Sequence, residues 1–308
     1  MKQLVTLLLL GALVSLASCT DYPPLFPPQN GGGHGPKKVP TVTTSGSIPA
    51  VRTSLTFKGT INNTGGLPIL GRFFIVTWTD PLTGTAEADT IQVQSGGNTF
   101  SYTKTDCYPG LGYSYQAGAV NSAGIGYGQI STSYNAGMHV GQDLGYGMVI
   151  HPYANYDSAI VVSKYELNTY YGLEWGFSTI TGTSSALLAG RTNTDAIIAQ
   201  TAGWSAAQLC RSYAAEGKKW NLASAQELQK IWTYRNAIAI AGSFYGGYVH
   251  GVGNNGAGNY ATMFYWSSTQ AASGDVYALD FAGSTQQTVT ALPGLQYGIR
   301  PITYVGAP

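Results

Sequence analysis

Charge is what this sequence has least of. Lys, Arg, Asp and Glu make up 9% of its 308 residues, against about 25% in an ordinary soluble domain. Long, salt-bridged helices are therefore not expected, and 15 basic against 14 acidic residues leave no net field to steer nucleic acid or another polyanion. Cysteine is scarce as well. Three residues, Cys19, Cys107 and Cys210, form neither a disulfide framework nor a CxxC or Cys/His zinc pattern. Sparse carboxylates also argue against a clustered calcium site, so neither a metal nor a cofactor is expected. The longest apolar run, Leu4 to Val14 interrupted by Thr6, is shorter than the roughly 20 residues a spanning helix needs. HExxH, GxSxG and a P-loop are missing. Gly251 to Gly256 fits GxGxxG in letters but lies in no strand–turn–helix context, which excludes a dinucleotide fingerprint.

Glycine (41), tyrosine (22) and a 44% hydrophobic content are what the chain has in place of charge. They provide ample core material and point to short strands and glycine-rich turns. Lys2, the short apolar run and a small-residue end describe a secretory signal over residues 1–18. Leu16-Ala17-Ser18-Cys19 resembles a bacterial lipobox. The resemblance implies that Cys19 is lipidated and becomes the first mature residue, with several acyl chains giving a stable anchor at the outer membrane or cell surface. Residues 19–40, with Pro23-Pro24 and Gly31-Gly32-Gly33-His34-Gly35-Pro36, read as a tether.

From 41 to 137 the pattern is all-β. Leu55, Phe57, Gly59 and Ile61 alternate with polar residues at period two. Asn62-Asn63-Thr64-Gly65-Gly66 and Asp80-Pro81-Leu82-Thr83-Gly84 are turn clusters. Arg72–Thr79, Thr99–Thr103 and Tyr113–Val120 add β-rich runs, giving about seven strands in about a hundred residues, as in a sandwich. The segment from Tyr108-Pro109-Gly110 to Asn121-Ser122-Ala123-Gly124 resembles the end of fibronectin III-like modules of bacterial surface proteins, which implies a tyrosine corner at Tyr113 and a stalk role.

From 138 to 308 helices are expected at Asn193–Gln200, at Ser205–Ala214 with Ser205 as cap, and from the capping box Ser224-Ala225-Gln226-Glu227 on to about Gly242. Gly172-Leu173-Glu174-Trp175, Trp220–Leu228, Tyr265-Trp266-Ser267-Ser268-Thr269 and Gly298-Ile299-Arg300-Pro301-Ile302 occur in the order and spacing of the Lcl C-terminal domain and the Fibrobacter-type paralogous domains. The chain resembles those families here, which implies an α+β, C-type-lectin-like fold. Trp175, Trp220 and Trp266 are expected in its core. Ser267 and Ser268 are expected to satisfy buried backbone groups, and Arg300 to pair with Glu227.

In lectin-like folds the insertion after the second helix commonly carries the ligand surface. Tyr245, Tyr248, His250, Asn254, Asn255, Asn259 and Tyr260 are therefore the candidate contacts, because tyrosine faces and amide groups suit sugars and proteins alike. No Ser/His/Asp or Cys/His arrangement points to catalysis. A formylglycine-generating-type enzyme shares the fold but needs two reactive cysteines, and this region has only Cys210. With eight Lys/Arg against nine Asp/Glu after residue 140, acidic glycosaminoglycans are disfavoured. The expectation is a non-enzymatic adhesin or binding module for a glycan, matrix protein or other extracellular protein. The alternative is a structural, tip or accessory subunit of a surface fibre or outer-membrane complex. Asp89-Thr90-Ile91 and Asp157-Ser158-Ala159 resemble O-glycosylation sites of exported Bacteroidota proteins.

Overall fold

The computed structural model describes residues 37–94, 97–167, 175–176, 180–240, 264–280, 286–289 and 297–306. Eight strands come first: β1 (Thr41–Val51), β2 (Ser54–Asn63), β3 (Gly71–Thr79), β4 (Ala86–Gln92), β5 (Thr99–Lys104), β6 (Gly112–Asn121), β7 (Gly124–Tyr127) and β8 (Ser131–Tyr134). They form two antiparallel sheets, β1-β2-β5 and β4-β3-β6-β7, with β8 continuing β7's side of β6. The period-two pattern explains the pairing. Leu55, Phe57 and Ile61 face Phe74, Val76, Tyr113, Tyr115, Ala117 and Ala119 across one apolar core, while the alternate residues face outward. The Tyr113 hydroxyl accepts a 2.8 Å hydrogen bond from the Tyr108 backbone N–H, the tyrosine corner of such sandwiches. Between them Gly110 sits at φ +73°, and a Cβ there would lie 2.3 Å from the Gly137 carbonyl oxygen, so the turn requires glycine. This is a fibronectin III-like sandwich.

The second region mixes strands and helices. Strands β9 (Gly147–Pro152), β10 (Ala159–Ser163), β11 (Asn221–Leu222) and β15 (Pro301–Val305) form a sheet in the order β11-β15-β10-β9. Strands β12 (Phe264–Gln270), β13 (Val276–Asp280) and β14 (Gln286–Val289) form another. The last strand thus returns beside β10, pairing Ile160 with Tyr304 and Val162 with Ile302. Strand β12 is buried on both faces, its residues alternating between two clusters. Phe264 and Trp266 join Trp175, Ile197, Cys210 and Leu222; Tyr265 joins Met148, Ile160, Leu228 and Ile302.

Among the described residues, four α-helices complete the region: α1 (Gly190–Gln200), α2 (Ala206–Ser212), α3 (Ala225–Thr233) and α4 (Arg235–Ile240). Ser205 caps α2 by accepting from the Gln208 N–H, and both halves of the Ser224/Glu227 capping box are formed at α3. The single helix expected to run on to Gly242 breaks at Tyr234, which leaves helical geometry (φ −102°, ψ 14°). There Arg235 turns back to donate a 2.7 Å bond to the Trp232 carbonyl, satisfying an end-of-helix acceptor. Gly242 itself lies outside the described residues. Among the described residues no helix is long and apolar enough to cross a membrane.

Candidate binding surface

Among the described residues, the motif residues Trp175, Trp220, Glu227, Trp266, Ser267, Ser268 and Arg300 all lie in the interior. Trp175, Trp220 and Trp266 are buried. Trp175 Nε1 donates to the Ser267 carbonyl (2.6 Å) and Trp220 Nε1 to the Ala215 carbonyl (3.1 Å), so each buried indole N–H is satisfied. The Trp266 ring lies 4.4 Å from that of Tyr297. Ser267 Oγ donates to the Tyr277 carbonyl and accepts from the Thr269 N–H. The Ser268 N–H reaches the Ala223 carbonyl at 2.7 Å, and its Oγ accepts from Asn193 Nδ2 at 3.1 Å. Ser268 thus ties segments 45 and 75 residues away, Ser267 holds its own hairpin together, and neither hydroxyl is a free nucleophile.

Glu227 is fully buried. Its carboxylate accepts from the Leu188 N–H (2.9 Å), the Ser224 N–H (2.7 Å) and the Tyr304 hydroxyl (2.7 Å). Burial pushes its pKa up, and those donors hold part of it down. The expected Glu227–Arg300 pair is not formed. Arg300, 1% exposed, faces Glu166 at 3.7 Å and lies beside the Tyr265 ring. The physical reason is that Glu227, as the third residue of α3, points at its own helix start and at Tyr304. Tyr304 is thus the residue that pins the last strand to the helix.

No titratable group described in this region is set up as a nucleophile. Cys210 is fully buried and desolvation pushes its thiol well up, which keeps it protonated. Burial lowers the pKa of His139 and of His151, with Lys230 adding to the effect at His151; His139 Nδ1 lies 2.7 Å from the Pro109 carbonyl. Gly172 to Glu174 and the candidate contacts Tyr245, Tyr248, His250, Asn254, Asn255, Asn259 and Tyr260 lie outside the described residues, as do Cys19 and the tether up to residue 36. The two glycosylation-like sites differ: Ser158 is fully buried and bonded to Asn155 Oδ1, whereas Thr90 is exposed on edge strand β4.

Sequence reasoning missed the exposed aromatics. Trp204, 72% exposed, sits on the turn between α1 and α2. On the sandwich, Tyr127, Ile130 and Tyr134 are exposed. The available signal was parity: in β7 and β8 these tyrosines pair with outward-facing glycines of β6, which period-two counting could have assigned to the outer face. A cleft of about 390 Å³ lies between Arg52 and Thr53 on one side and Ala154 to Asp157 on the other. A bidentate Arg52–Asp157 ion pair crosses it.

No protein-family model matches the chain, and no curated protein matches its sequence. Several solved structures are similar to about a third of the chain. The sensor domain of the anti-sigma factor RsgI4 of Pseudobacteroides cellulosolvens shares 13% identity over 33% of this chain and 98% of its own, with a TM-score of 0.25. The third fibronectin III domain of human KIAA0343 shares 13% over 38% and 99%, TM-score 0.25. Domains A168–A170 of titin share 16% over 32% of each chain, TM-score 0.23. The sandwich assignment itself rests on strand order, core parity and the Tyr113 corner.

Proposed function

We propose that this protein is a cell-surface binding module without catalysis. It is lipid-anchored at Cys19 in the outer membrane, with residues 19–40 as tether and 41–137 as a fibronectin III-like stalk. Residues 138–308 form a C-type-lectin-like head that recognises a glycan, a matrix protein or another extracellular protein. One observation carries this reading: the head's shared polar and aromatic motif residues are spent on its interior, Glu227, Ser267 and Ser268 all being buried and hydrogen-bonded within it. Function then falls to exposed, uncharged side chains, the class of group that suits neutral ligands. The return of β15 beside β10 and the burial of β12 on both faces support the lectin-like assignment.

The test is a glycan and matrix-protein array probed with the full chain, its Trp204→Ala variant and a Tyr245→Ala/Tyr248→Ala variant. Specific binding that the substitutions abolish while the melting temperature holds is the expected result. No binding on the array, together with stoichiometric co-purification with surface-fibre subunits, would replace this reading with a structural one. Labelling with radioactive palmitate, lost in Cys19→Ala, checks the anchor.

A further inference from the structure

The outward face of the sandwich's β4-β3-β6-β7 sheet is built in rows. Cross-strand partners point to the same face, so Gln92, Phe73, Gly118 and Tyr127 make one row, and Thr90, Ile75 and Gln116 the next. Thr77, Ser114 and Thr132 make a third, and Gly112 with Tyr134 close the face. None of these residues carries a charge. The two glycines are where aromatic rings lie down. A Cβ at Gly112 would meet Tyr134 Cε1 at 2.8 Å, and one at Gly118 would meet Phe73 Cζ at 2.2 Å. Tyr127 is braced edge-on against Phe73, centroids 5.9 Å apart at 82°.

Two exposed, braced tyrosines therefore stand apart along the face, with the Gly71, Val120 and Ile125 row beyond Tyr127. Six residues of β6 separate their partners Gly118 and Gly112, roughly 20 Å at the strand rise. Between them lie Ile75, Ala88 and five polar groups, the hydroxyls of Thr77, Ser114, Thr132 and Thr90 and the amide of Gln116. An ordinary protein interface gathers its aromatic groups into one core within a polar rim, whereas here the exposed rings of Tyr127 and Tyr134 stand apart with polar groups between them. An extended, neutral chain of sugar rings fits it. Each end ring would lay its C–H face on a tyrosine, and its hydroxyls would exchange hydrogen bonds with groups that both donate and accept.

We propose that this face binds a neutral, extended polysaccharide, which makes the stalk itself a second ligand site. The proposal goes beyond the head's role and does not depend on it. The full chain is tested by depletion onto cellulose, mannan and β-1,3-glucan, and by affinity electrophoresis in their soluble forms. The expected result is retention by at least one of them. It should weaken at least tenfold in Tyr127→Ala/Tyr134→Ala and in Thr132→Glu, and stay unchanged in Ser101→Glu, an exposed position of β5 in the other sheet. Thr132→Glu decides the matter if the double variant lowers the melting temperature. Retention by none of the three polysaccharides, retention indifferent to Tyr127→Ala/Tyr134→Ala and to Thr132→Glu, or equal weakening in Ser101→Glu would overturn it; each of these results leaves the head reading standing.

Discussion

The two regions of this chain bury different things. The sandwich closes over Leu55, Phe57, Phe74, Val76, Tyr113 and Tyr115, with few polar groups inside, Asn121 among them. The second region is also centred on apolar clusters, but it buries Asn193, Thr194, Asn221, Ser224, Glu227, Ser267, Ser268, Thr269 and Arg300 as well. In the first, sheet ladders satisfy the backbone, and side chains need only be apolar on alternate positions. In the second, helices and irregular segments leave backbone groups that side chains must meet. A polar interior of that kind fixes one arrangement of loops, but each lost partner exposes a buried donor or acceptor to its full desolvation cost. The lesson is that a short motif rich in Ser, Asn and Glu can be wholly architectural.

The sharpest way to break this contrast is to remove one buried polar hub from each region. Glu227→Ala orphans the buried Ser224 N–H, the Leu188 N–H and the Tyr304 hydroxyl together with the α3 cap, and is expected to cost about 4 kcal/mol, read as a shift in the urea midpoint. Asn121→Ala in the sandwich should cost less, about 2 kcal/mol. Its amide donates to the Lys38 and Thr64 carbonyls and accepts from two turn N–H groups, all local to one corner. Equal losses would show that the sandwich depends on polar contacts as heavily as the second region does.

Tyr113→Phe tests the corner alone. It removes the acceptor for the Tyr108 N–H and should cost about 1 kcal/mol in thermal unfolding. A pH series probes His139. Its pKa is lowered by burial from an ordinary 6.5, so the unfolded chain takes up a proton more readily than the folded one. Stability should therefore be full above about pH 6.5 and fall as the pH drops below it; His139→Gln should flatten that acid-side decline. The smallest effect belongs to Arg52→Ala. The Arg52–Asp157 pair is exposed, so its loss should cost under about 1 kcal/mol and vanish at high salt.

How much was legible in the sequence follows from the same contrast. The strands at 54–63, 71–79 and 112–121 were readable because Phe57, Phe74 and Tyr115 repeat at period two with polar neighbours. Strand β4, Ala86–Gln92, was not named, since as an edge strand it is mostly exposed and lacks an apolar stripe. The caps at Ser205 and Ser224 were local signals and were placed correctly. The partners of Arg300 and Glu227 were not readable, because Glu166 and Tyr304 reach them from far along the chain, and no local period encodes such a pairing. The outward tyrosines carry no motif of their own; Tyr127 and Tyr134 gain meaning only through their register with Gly118 and Gly112.

The central claim is that exposed aromatics bind and buried motif residues build. The most direct measurement is equilibrium affinity for the strongest array ligand, set beside the melting temperature, in the wild-type chain, in the surface variants Trp204→Ala and Tyr245→Ala/Tyr248→Ala, and in the interior variant Ser267→Ala. The account predicts that at least one surface variant binds at least tenfold more weakly at unchanged melting temperature, while Ser267→Ala lowers the melting temperature and keeps its affinity below the transition. Affinity that ignores both surface variants and collapses in a still-folded Ser267→Ala chain would contradict it.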